Sequence, residues 1–188
     1  MQCMHIKGHN LLIALVGLPG SGKSMAANFF EQYGFSKIRF GELTDKELEK
    51  NNLEQNEENE KRIREFLRKK YGMHVYALLN KENIQHELKL NNVIIDGLYS
   101  LEEYTYLKKE FPQLIVIAIY APPDVRYDRL AQRTIRPLKL EDAMQRDLSQ
   151  IEKLHQGGPI AMADYTIPNI DSPEKLREYI TEVLALFS

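Results

Sequence analysis

The stretch Gly17-Leu18-Pro19-Gly20-Ser21-Gly22-Lys23-Ser24 constrains this chain more than any other, because it sets three glycines and a lysine directly after the apolar run Leu11 to Val16. That run is too short to span a bilayer and reads as a buried strand. From Lys23 to Tyr33, Met25, Ala26, Phe29 and Phe30 recur at helical spacing, and Gly34 ends the helix. A strand, a glycine-rich turn and a helix in that order match G-x-x-x-x-G-K-[ST], with Gly17, Gly22, Lys23 and Ser24 in the fixed positions. Glycines let backbone N–H groups close on phosphate oxygens, and the helix N-terminus adds its positive end. Pro19, Gly20, Ser21 and Met25 complete the expected cradle for ATP. Lys23 is expected on the β- and γ-phosphates, and Ser24 offers Mg²⁺ a hard hydroxyl oxygen.

The remaining pattern alternates strands and helices. Short strands are predicted at Lys37 to Phe40, Val93 to Ile95 and Tyr165 to Ile167, and a long one at Leu114 to Ala121, whose continuous apolar character suits a strand covered on both faces. Helices are predicted over Val75 to Leu90, Leu101 to Phe111, Pro123 to about Arg133, Leu140 to His155 and Pro173 to Phe187. Ser100 with Glu103 gives the second of these a capping box. Gly157-Gly158-Pro159 reads as a break. The pattern implies a three-layer α/β fold with a parallel sheet and helices on both faces.

One segment differs from its surroundings. Glu42 to Lys70 is acidic and Asn-rich first and basic afterwards, with Ile63, Phe66 and Leu67 forming an apolar stripe. Helical pieces that cover a site and a solvated insertion both fit the acidic half. With 188 residues, 43% of them hydrophobic, the chain has enough material for a single domain. The net charge of −2 supplies no global attraction for a nucleic-acid polymer. A lone cysteine, Cys3, and the lack of a signal-peptide or membrane-spanning pattern make cytoplasm the expected location, and the histidines show no metal-ligand spacing.

Candidate catalytic groups cluster at strand ends and in two arginine sets. Asp96 follows the strand Val93 to Ile95, where open α/β sheets bind ligands, and is expected to help position Mg²⁺; Asp96-Gly97 as a plain turn is the alternative. Glu42 has the same address one strand earlier and could orient an acceptor or take its proton. Arg62, Arg64 and Arg68 lie in the basic half of the insertion as candidate acceptor-phosphate ligands. Arg126, Arg129, Arg133 and Arg136 follow the long strand, the first three spaced for one helical face. Arg129, Arg133 and Arg136 are the stronger candidates for stabilising a transferring phosphoryl group.

The glycine loop, Val93 to Gly97, Arg126 to Arg133 with the trailing Arg136, and Ala163 to Asn169 together resemble the P-loop kinases of the adenylate kinase and dephospho-CoA kinase group. The nearest look is to an adenylate-kinase-related, dephospho-CoA-kinase-like branch. The resemblance implies a five-stranded parallel sheet in the order 2-3-1-4-5, a helical acceptor-binding region at about 43–90 and a short lid at about 133–140. It further implies that Ala163, Asp164 and the stretch to Asn169 lie near the adenine. Glu42, Arg62, Arg68, Asp96 and Gly97 are the candidate acceptor-site residues.

The function expected from these features is Mg-assisted phosphoryl transfer from ATP to a small nucleotide-like acceptor. Phosphorylation of a ribose hydroxyl, and an ATP-binding regulator working through a protein partner, stay open beside it. GTP is not expected: Asn80-Lys81-Glu82-Asn83 lacks the aspartate of a guanine-reading N-K-x-D. Monomer and homodimer are both compatible with the sequence.

Overall fold

The computed structural model of the protein describes residues 10–134 and 137–187; Cys3, His5, His9 and the candidate Arg136 lie outside them. Strand β1 (Leu12–Val16) runs into the glycine turn and α1 (Lys23–Gln32), followed by β2 (Ser36–Arg39). The charged segment folds as α2 (Glu42–Lys50) and α3 (Glu57–Tyr71), and α4 (Val75–Leu90) and β3 (Val93–Asp96) come next. Then α5 (Leu101–Glu110), β4 (Ile115–Tyr120) and α6 (Pro123–Ala131) lead to α7 (Leu140–Leu154), α8 (Gly157–Ala161), β5 (Tyr165–Pro168) and α9 (Pro173–Ala185).

The strands form one parallel sheet in the order β2-β3-β1-β4-β5. Side chains of a strand alternate between faces, so β1 serves two cores at once. Leu12, Ala14 and Val16 join the core beneath α2, α3, α4 and α5, with Leu48, Ile63, Leu67, Ile84 and Leu107. Ile13 and Leu15 join the opposite core with Ala26, Ala27 and Phe30 of α1 and Leu176, Ile180 and Leu184 of α9. Full burial of all five β1 residues explains why this strand reads as an unbroken apolar run. The sheet order changes direction at β1, with β3 on one side and β4 on the other, and the crevice above that point is where such sheets take ligands.

Several expectations shift. The acidic half of the insertion is ordered helix, punctuated by its asparagines: Asn52 takes the left-handed conformation after α2, and the Asn56 side chain caps α3 by accepting from the Asn59 amide. Gly157-Gly158-Pro159 opens α8 rather than breaking the chain, since a first-turn proline gives up an N–H that has no helical partner there. Helix α6 ends at Ala131, so Arg133 leaves the helical face that Arg126 and Arg129 occupy. Among the described residues no helix is long and apolar enough to cross a membrane.

Candidate active site

The glycine turn sits where the sheet demands it, at the C-terminal end of the central strand. Gly20 and Gly22 adopt φ of 81° and 98°, which side-chain-bearing residues avoid. A Cβ on Gly20 would lie 2.6 Å from the Arg126 carbonyl oxygen, and one on Gly22 would overlap the Asn169 amide. The first helical bond of α1 runs from the Ala26 amide to the Gly22 carbonyl at 3.0 Å, leaving the amides of Lys23, Ser24 and Met25 for an outside acceptor.

Lys23 folds back over this turn. Its Nζ donates to the carbonyls of Gly17 at 2.6 Å and Leu18 at 3.1 Å. Burial lowers its pKa to about 8; Asp96 works against that shift, while Arg133, Arg146 and Arg126 add to it. Lys23 therefore feels the charge of Asp96 and of three arginines. Asp96 is 6% exposed and ends β3 opposite Leu15 of β1 and Arg39 of β2. Tyr99 folds its ring back over Gly97, and burial, followed by the charges of Asp96 and Glu103, holds its hydroxyl firmly protonated.

The predicted site residues divide by where the fold sends them. Gly17, Pro19, Gly20, Ser21, Gly22, Lys23, Ser24 and Met25 form the turn and the first turn of α1, with Ser24 and Met25 exposed. Arg129 is half-buried, and its Nη1 has no hydrogen-bond partner among the described residues. Arg133 is close enough to Arg146 that partial burial and then that neighbour push its guanidinium below the usual range. Arg68 lies 5.3 Å over the Tyr76 ring with its Nε buried and unpartnered among the described residues. Burial raises the Glu103 carboxyl to about 7 against the amides of Tyr99 and Ser100 and the charge of Arg68.

Three expectations are not met by the geometry. Glu42 is half-exposed at the start of α2, and its carboxylate takes Lys46 of the same helix at 2.7 Å. Arg62 lies two residues from Arg64, about 200° round the helix, in a groove with Glu47, Lys50, Phe66 and Lys70. Asp164 accepts from the Val116 amide at 2.8 Å and from Lys108 at 3.2 Å, near the start of β4. Because the strands are parallel, that position is at the sheet edge remote from the glycine turn, so Ala163 and Asp164 do not border the site. Asn169, at the other end of β5, does reach the turn, but its Nδ2 donates to the Ser21 carbonyl at 2.8 Å.

Sequence reasoning missed Arg146, Asp147 and Gln156. Arg146 on α7 joins the arginines around Lys23, and its Nη1 is 3.8 Å from Glu57 at the start of α3. Glu57 also holds Arg64 at 2.7 Å. Asp147 grips Arg126, whose Nη1 also donates to the Pro19 carbonyl at 3.1 Å, and Gln156 donates to the Gly17 carbonyl at 3.1 Å. These contacts span 21 residues or more, and no local pattern announces them.

This donor set fits a magnesium nucleotide. Free amides at the start of α1, a half-buried lysine whose ammonium donates to two carbonyls, an arginine nitrogen with no partner among the described residues and a buried carboxylate one strand away match polyphosphate and a hard cation. Ser24 and Asp96 would hold the cation. Among the described residues there is no cluster of three or more His, Cys, Asp or Glu side chains able to hold a metal by itself.

Known proteins agree with this architecture. The shikimate kinase from Acinetobacter baumannii, solved with shikimate, superimposes with a TM-score of 0.59 at 18% identity over 94% of this chain and 92% of its own. A gluconokinase from Sinorhizobium meliloti gives 0.61 at 16% identity over 96% and 95%. These likenesses establish the fold of P-loop kinases. The AAA domain family matches residues 13–154. A UPF0200 protein of Thermococcus onnurineus is 34% identical over 185 residues, covering 93% of this chain and 99% of the relative. With its glycine loop, sheet order and near-complete alignment to that relative, the chain belongs to the UPF0200 family and carries its P-loop AAA domain.

Proposed function

We propose that this protein is an ATP-dependent phosphotransferase that phosphorylates a small nucleotide-like acceptor. The observation that carries the reading is the glycine turn at the end of the central strand, its Lys23 held over the turn with Asp96 on the neighbouring strand, and the charges of Arg133 and Arg146 acting on that lysine. A binding module needs the turn and the lysine. Extra arginines acting on that lysine serve the charge that spreads over a migrating phosphoryl group.

Each residue has a role in that reaction. The amides of Gly20, Gly22, Lys23, Ser24 and Met25, together with the Lys23 ammonium, bind the donor phosphates and hold them in line. Ser24 and Asp96 would hold a bound Mg²⁺, which would neutralise charge on the donor phosphates. Arg129, Arg133 and Arg146 face the transferring group, with Arg136 expected to join them, and Arg64 and Arg68 face the acceptor. Positioning and charge account for most of the rate, since a monophosphate acceptor is already anionic and needs no strong base. Within this class the nucleoside monophosphate kinase-like reading leads. A ribose hydroxyl, the acceptor of a dephospho-CoA kinase, would instead give its proton to Asp96, the buried carboxylate nearest Lys23.

The test is a transfer screen with Mg-ATP against nucleoside monophosphates, nucleosides and dephospho-CoA, following ADP and phosphorylated product, with Lys23→Ala as control. A single phosphorylated acceptor, lost in Lys23→Ala, supports the reading and names the substrate. Tight ATP binding without any acceptor-dependent product overturns it in favour of a nucleotide-regulated partner protein.

A further inference from the structure

Three side chains from distant parts of the fold donate to alternate carbonyls of one loop. Gln156 Nε2 reaches the Gly17 oxygen at 3.1 Å, Arg126 Nη1 the Pro19 oxygen at 3.1 Å, and Asn169 Nδ2 the Ser21 oxygen at 2.8 Å. They come from the N-cap of α8, from α6 and from the residue after β5. All three are buried, at 0%, 3% and 5% exposure. From this spacing we propose that Gln156, Arg126 and Asn169 are positioning residues that hold the phosphate loop in its anion-receiving shape, an inference that rests on the loop being the nucleotide site.

Backbone carbonyl and amide groups of successive residues compete for direction. Drawing the oxygens of residues 17, 19 and 21 outward to fixed donors leaves the intervening amides to converge inward, as an anion nest requires. Each donor is itself anchored. Arg126 also donates to the Ala121 carbonyl at 3.0 Å and is gripped by Asp147 of α7. The Asn169 amide bonds the Tyr120 carbonyl at the end of β4, and the Gln156 amide bonds the Gln150 carbonyl of α7. The loop is thus framed by rigid elements, which keeps a binding site preorganised.

Gln156 has a second part to play. The Gly17 oxygen accepts from both Lys23 and Gln156. When Lys23 turns toward phosphate, Gln156 keeps that buried carbonyl from losing every partner, which a buried acceptor strongly disfavours. The Gln156 Oε1 has no partner of its own among the described residues, so the side chain's polar role is the donation to Gly17.

The experiment compares wild type, Gln156→Leu and Asn169→Ala, neither of which adds a charge, by calorimetric binding of inorganic tripolyphosphate and of ADP, alongside thermal unfolding. Tripolyphosphate has no base, so it isolates the loop. Both variants are expected to bind tripolyphosphate and ADP about tenfold more weakly, with unfolding midpoints near wild type. A merely structural role would move the midpoint and leave affinity alone. Unchanged tripolyphosphate affinity in folded variants overturns the frame while leaving the nucleotide site standing; a loss confined to ADP in Asn169→Ala puts Asn169 on the base and removes it from the frame. Wild type that binds neither ligand overturns the nucleotide reading and this inference together. Should Gln156→Leu not fold, the near-isosteric and uncharged Gln156→Met, which loses the same donor, takes its place with the same expectation.

Discussion

Arg126 and Asp147 meet as a two-pronged ion pair across α6 and α7, Nη1 to Oδ1 at 3.0 Å and Nη2 to Oδ2 at 2.6 Å, with both side chains almost wholly buried. Tyr127 adds a third bond by donating its hydroxyl to Asp147 at 3.0 Å. Removing one partner strands the other charge in a buried site. Asp147→Ala is expected to lower unfolding stability by about 3–5 kcal/mol, read from urea denaturation with an unchanged m-value.

Lys23 makes nucleotide binding depend on pH. Its pKa of about 8 in the free protein lies well below the 10.5 of an exposed lysine, so the ammonium is lost as pH rises past 8. Phosphate binding favours the charged form, and so draws in a proton above that point. ATP affinity is therefore expected to be flat below pH 7 and to fall by up to about tenfold per pH unit above 8. Calorimetry at pH 8.5 in buffers of different ionisation enthalpy should show proton uptake on binding; affinity level up to pH 10 would contradict the lowered pKa.

Arg146→Ala separates charge at the site from fold. It removes a half-buried surface guanidinium whose ion pair with Glu57 is long at 3.8 Å, so stability should change little. Turnover is expected to fall by about a hundredfold or more, the scale for losing a transition-state charge partner. Because Arg146 helps depress the Lys23 pKa, the alkaline limb of the binding curve should also move to higher pH. A lowered rate with that limb unmoved would separate the two effects.

Glu103 stores a cost of burial. Its pKa of about 7, against 4.5 for a free glutamate, means the native state holds a proton that the unfolded chain has released between those values. Stability from this group is therefore full below about 4.5 and lost as pH rises through 7. Glu103→Gln keeps an acceptor for the Tyr99 and Ser100 amides, which bond Oε2 at 2.8 and 3.3 Å. The variant is expected to match wild type at pH 4.5 and to exceed it by on the order of 3 kcal/mol at pH 8, measured by denaturation at both pH values.

The fold was legible because its signals are local. The buried run of β1, the glycine turn and the β-branched run of β4 each state their structure within eight residues, and the parallel sheet follows from their alternation with helices. The loop half of the site was legible for the same reason. What the sequence hid depends on topology. Glu42 looked like a strand-end acid, yet the chain enters α2 at once and the carboxylate finds Lys46 one turn along. Arg126 shared a helical spacing with Arg129, but α7 supplies Asp147 to claim it. Asp164 sits in the same motif as Asn169, and a strand's length puts them at opposite edges of the sheet. A helical wheel cannot tell which side of α3 faces a partner, and so Arg62 and Arg68 looked alike.

The resting contact of Lys23 with the Gly17 and Leu18 carbonyls turns nucleotide capture into an exchange. The ammonium leaves two good acceptors, so a newcomer must repay both. A single chloride, or a carboxylate with its two oxygens, makes a poor trade. Adjacent phosphates present several oxygens to the lysine and the loop amides together, and they alone clear the threshold. A loop that grips its own cation when idle is thereby selective among anions before any base or acceptor is read.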